Sequence, residues 1–229
     1  MGSFIQNKMK KRLRKLNKVV ANFSLRLLFL AIVSQFLFAN LEEDLTKIKS
    51  SKREERLVAA VNLGNYKDIK AKNALIEALN DKNPGVKICA INSLAKLRNK
   101  SLIDKFIEIA KNDKNFAVKR TAIQALSWFK EKKVIDFLEK LLKEEKIKDQ
   151  ALATLSRIGG ERVAGILLNY GDSTDKRMEE IAIEGLERII ISGNPGETKE
   201  KIKKLIKKKS KSQNPKIREK AKRILEVLK

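Results

Sequence analysis

The chain has no histidine in 229 residues. This removes the commonest general base, Ser-His-Asp and Cys-His catalysis, and histidine-ligated zinc. Cys89 is the only cysteine, so an intramolecular disulfide and a cysteine-rich metal site are excluded as well. In a helical pattern such a cysteine is expected to be buried as a small hydrophobe. The three prolines and ten glycines do not gather into a linker, so residues 40–229 read as one domain. One tryptophan and two tyrosines leave few rings for stacking on bases. No strand-like alternation, Walker loop or dinucleotide fingerprint occurs. Ser93-Leu-Ala-Lys96 spells S-x-x-K, but it lies on a repeat helix at a small-residue position. These absences predict a protein that is not an enzyme, with no cofactor, no metal and no small-molecule substrate.

Acidic residues are missing from residues 1–39, where eight Lys or Arg precede an apolar run, Leu27 to Ala39. Thirteen residues at a helical rise span about 20 Å, short of a ~30 Å hydrocarbon core. A basic start, a short apolar stretch and a small residue before a polar one are the parts of a secretory signal peptide. Cleavage is expected after Ala39, with Met9 an alternative initiator and an uncleaved anchor the alternative outcome. The expected location is the periplasm or cell envelope of a bacterium, which fits the absence of disulfides.

What is present is charge and repetition. The formal net charge is +24. Residues 198–229 hold fourteen Lys or Arg against Glu200, Glu219 and Glu226, so the basicity of the mature chain is concentrated at its end. Six alanines are each followed four residues later by leucine: Ala59/Leu63, Ala90/Leu94, Ala122/Leu126, Ala151/Leu155, Ala182/Leu186 and Ala221/Leu225. The alanines are 31, 32, 29, 31 and 39 residues apart, a period that marks stacked supersecondary units. An apolar residue usually precedes each alanine by four, writing one stripe along a helix. A second periodic run follows in each unit, carrying Leu75, Phe106, Leu138 and Leu167. Asn83-Pro84 and Asn214-Pro215 place a capping side chain before a proline at the first helical position. The long last step comes from a loop, Ser192-Gly-Asn-Pro-Gly196. Leu41 to Lys49 is expected to cap one end, and the half-unit 215–228 the other.

The segments VKICAINSL (86–94), VKRTAIQAL (118–126), IKDQALATL (147–155), MEEIAIEGL (178–186) and IREKAKRIL (217–225) resemble the first helix of the HEAT repeat, of the short PBS-lyase HEAT-like kind. The resemblance implies an all-α fold, a right-handed α-solenoid of about five to six helical hairpins over residues 40–229. It also implies that the basic residue at the second position (Arg56, Lys87, Lys119, Lys148, Arg218) ties one repeat to the next. Glu179 departs from this pattern. Second helices line the concave face in that family. The lysines of the fifth unit's second helix (Lys199, Lys203, Lys204, Lys207, Lys208 and Lys211) are therefore the candidate site for an acidic partner, with Trp128 a candidate groove aromatic. The expected function is an exported scaffold for protein–protein interaction. The alternatives are a nucleic-acid-binding groove, which the export signal and scarce aromatics oppose, and an anionic lipid surface.

Overall fold

The computed structural model describes residues 40–228, and the predicted signal segment 1–39 lies outside them. A first helix, α1, runs through residues 40–47. Five helical hairpins follow, each a first helix and a second: α2 (Arg53–Leu63) with α3 (Ile69–Ala78), α4 (Pro84–Lys96) with α5 (Ile103–Asn112), and α6 (Phe116–Ala125) with α7 (Lys132–Leu141). Next come α8 (Lys148–Ile158) with α9 (Glu161–Leu168), and α10 (Lys176–Ile191) with α11 (Lys199–Lys209); α12 (Pro215–Val227) follows, stacked on α10 and α11. No strand occurs among the described residues. The chain is an α-solenoid.

The Ala/Leu pairs make it so. All six alanines and five of the six leucines are fully buried; Leu225, on the last helix, is only partly covered. Small side chains let α2, α4, α6, α8, α10 and α12 stack directly, each on the next, while Leu75, Phe106, Leu138 and Leu167 fill the layer behind them. The second helices touch one another sparsely. Asn83 and Asn214 cap α4 and α12 with proline following, as the sequence predicts; Asn115 and Asp175 cap α6 and α10 by side-chain acceptance without a proline. At the N-terminal end Leu41 and Ile48 of the α1 segment are buried. Asp44 accepts hydrogen bonds from Asn62 at 3.0 Å and Tyr66 at 3.3 Å, which tie α1 to α2 and the turn after it. At the other end α12 buries Ile217, Ala221, Ile224 and Leu228 but leaves Ile191 and Val227 exposed.

Candidate functional site

The basic position of the repeat does what the resemblance implies at three junctions. Arg56 grips Asp81, which opens the next unit, with Nε at 2.7 Å and Nη2 at 3.1 Å. Lys87 reaches Asp113 at 2.7 Å, and Lys148 reaches Asp175 at 3.4 Å and Glu145 at 2.9 Å. The acid is itself part of the next helix start: the N–H of Asn83 donates to Asp81 and that of Asn115 to Asp113, and each asparagine then caps its helix. Burial pushes the Asp81 and Asp113 carboxyls up, but bonds from Arg56 and Lys87, and from the two backbone N–H groups, outweigh it and hold both below the usual 3.8. The stability they supply is therefore complete above their unfolded pKa and is lost as pH falls through the lower native values. Urea-unfolding stability is expected to decline below about pH 4, and to decline less steeply in Asp81→Asn/Asp113→Asn. Equal pH slopes would remove the junction pairs as its source.

At the position where Glu179 breaks the pattern, the charges are exchanged rather than lost. Glu179 pairs with Lys209 at the end of α11, at 2.5 Å, and Asp172 also reaches Lys209 at 2.7 Å. Lys209 is thus a buried scaffold residue among the lysines of this segment. It stands three and four residues beyond Ile206 and Leu205, which with Ile202 are buried on the same face of α11, a spacing in the sequence that could have marked it as inward-facing. Arg218 bonds only backward, to the carbonyls of Ser212 and Gln213.

The six candidate lysines of α11 and its tail are all exposed. Lys208 is held by Asp172 at 2.8 Å; Lys199, Lys203, Lys204, Lys207 and Lys211 have no ion-pair partner among the described residues. Trp128 is 47% exposed, on a 3-10 turn (Leu126–Trp128) that ends the first helix of the third unit, with the Arg98 guanidinium 4.2 Å above its ring. Cys89 is partly rather than fully buried, and burial pushes its thiol up, away from reactivity. The Ser93 hydroxyl donates to the Ala60 carbonyl at 2.8 Å, so S-x-x-K is scaffold here.

Two cavities of 530 Å³ open along the stack, one on the first helices and the other between α6, the second helices α5 and α7 and the loop before α8, and neither is lined by Trp128 or by the α11 lysines. One crosses α6, α8, α10 and α12. Here Arg177 pairs with Asp149 and Lys216 with Glu180, while Arg120 has only Gln150. Arg157 has no acid partner among the described residues; partial burial and then the charge of Arg188 pull its pKa down. Phe116, 47% exposed, lines both cavities. It occupies the first helical position, where α4 and α12 carry proline, and that substitution was the only sequence sign of it. No group of three or more His, Cys, Asp or Glu able to hold a metal occurs among the described residues.

Stacked helical hairpins joined by buried charge pairs define a repeat scaffold of the α-solenoid class. HEAT repeats, as a family, match residues 42–115 and 103–187, more than half of the chain, and the chain belongs to the HEAT-repeat family. No curated protein matches it. In fold it is similar to the archaeal HEAT-like repeats protein from Thermococcus onnurineus NA1 (TM-score 0.51, 17% identity, covering 87% of this chain and 91% of that one). It is also similar to the complex of CpcE and CpcF of phycocyanin lyase from Nostoc sp. PCC7120 (0.55, 22%, 79% and 74%). A designed armadillo repeat protein in complex with the peptide (KR)4 is a third such structure (0.56, 16%, 82% and 99%).

Proposed function

We propose that this protein is a non-enzymatic HEAT-repeat scaffold that binds an acidic protein partner outside the bacterial cytoplasm. The α11 face carries the reading. Five of the six candidate lysines there lack acid partners among the described residues, in a chain that sets an acid against the basic residue at three of its junctions. An unneutralised cluster raises the local potential and attracts negative surfaces in a salt-dependent way. The designed armadillo protein holds a peptide of basic residues; the unmatched charge here has the sign that suits an acidic one. Export rests on residues 1–39, with their basic start, short apolar run and Ala39.

Crosslinking in intact cells, with mass spectrometry of captured partners and of the protein's own N-terminus, tests both halves. A chain beginning at Asn40 and an envelope protein captured through α11 are expected. Lys203→Glu/Lys204→Glu/Lys207→Glu, which spares the paired Lys208 and Lys209, is expected to abolish that capture. Unchanged capture by this variant, or an intact N-terminus with bound nucleic acid, would reject the reading.

A further inference from the structure

One junction of the solenoid has neither an acid paired with the preceding basic residue nor a capping side chain at the start of the next unit. The acid that receives the basic residue stands six positions before the next basic residue at the first two junctions, as Asp81 before Lys87 and Asp113 before Lys119. The capping asparagine stands four before. Between the third and fourth units those two positions are Leu142 and Glu144. Lys119, whose counterparts Arg56 and Lys87 hold carboxylates, turns back to the Lys111 carbonyl at 2.7 Å. Helix α8 starts without a side-chain cap, unlike the first helices at the other four junctions.

The space left there is charged. The 530 Å³ cavity at this junction is lined by Lys111, Lys114, Lys119, Lys140 and Lys146, and Glu144 is the one acid among its lining residues. None of these lysines has an ion-pair partner among the described residues. The floor is apolar, with the Lys111 ammonium 5.6 Å from the centre of the Phe137 ring. Phe116 and Lys146 join it to the neighbouring cavity with Arg120 and Arg157.

We propose that this cleft is a docking site for an acidic segment of a protein partner, whose carboxylates meet the lysines for which the repeat supplies no acid, and whose apolar side chains rest on Phe116. The inference rests on the partner-binding reading above but not on α11. Charge complementarity selects the occupant: the unmatched cations need carboxylates, and the exposed Phe116 ring needs apolar contact. A nucleic acid fits less well: its phosphates could meet the lysines, but it brings no apolar side chain to cover the exposed Phe116.

The probe is a fluorescein-labelled peptide of eight residues, glutamates with one central phenylalanine, titrated with the full chain at low salt and followed by anisotropy. Affinity is expected to fall about tenfold in Lys114→Glu/Lys140→Glu/Lys146→Glu, three exposed positions whose folding is checked by circular dichroism. It is expected to stay within about twofold in the α11 triple variant. Hydrogen exchange should show protection at residues 114–120 and 144–150 on peptide binding. Wild-type affinity in the cleft variant would overturn the proposal. So would a short DNA duplex that displaces the peptide and loses affinity in the same variant. Loss in the α11 variant alone would overturn the cleft while leaving the proposed function standing.

Discussion

Glu179→Lys, which restores the residue type the repeat pattern favours, is expected to destabilise the protein by about 3 kcal/mol. Glu179 and Lys209 expose only 6% and 11% of their side chains and meet at 2.5 Å. A lysine at 179 would bring two ammonium groups together in a site that water barely reaches. Removing one partner of a buried pair costs about 3–5 kcal/mol, because the other charge is left without compensation. The lower figure applies because Asp172 would still hold Lys209 at 2.7 Å. The reversed pair, Glu179→Lys/Lys209→Glu, should recover only part of the loss, since the carboxylate introduced at position 209 would then face Asp172. Replacing both residues by methionine should be close to neutral, as it commonly is for a buried pair. Urea unfolding of the four proteins measures this. A Glu179→Lys variant as stable as the wild type would show that the pair contributes nothing.

Gly185→Ala should also lower stability, by about 1–3 kcal/mol, although alanine is the better helix former by up to about 1 kcal/mol. Gly185 lies inside α10, where that helix crosses α8. A Cβ there would come within 2.6 Å of the Ser156 Cβ and 3.2 Å of its Cα, and within 2.6 Å of a Leu167 methyl. The methyl can swing away; the Ser156 backbone cannot move without shifting α8. The Ser156 hydroxyl is moreover fixed, accepting from Arg188 at 3.0 Å and donating to the Ala153 carbonyl at 2.9 Å. Thermal unfolding decides the sign. A raised midpoint would mean that helix propensity wins and that the two helices can part freely.

Both cases separate what is local from what is not. The Ala/Leu spacing, the Asn-Pro caps and the basic position were legible because each is written within one helix or one turn, and the repeats state it again and again. The six candidate lysines of α11 and its tail were legible as an exposed basic face, and they are exposed. Their partnerships were not. Lys208 and Lys209 differ by one residue in sequence, yet one sits on the surface beside Asp172 and the other is buried against Glu179.

The cleft was hidden for a related reason. Its lysines are scattered from Lys111 to Lys146 across two units, and no spacing rule within a helix joins them. One cavity lies along the first helices α6, α8, α10 and α12, while the other also reaches the second helices α5 and α7, beside the loop that leads into α8. Trp128, expected as a groove aromatic, stands outside both cavities under Arg98, and Phe116 is the aromatic that lines both.

By itself, then, the sequence determined the solenoid, its unit boundaries and the identity of the core, because helical period and capping chemistry act over a few residues. Which charges are cancelled, which glycine has no room for a methyl group, and where the stack leaves a gap were decided only by tertiary structure. Those properties depend on residues some thirty positions apart, brought together when one unit packs on the next.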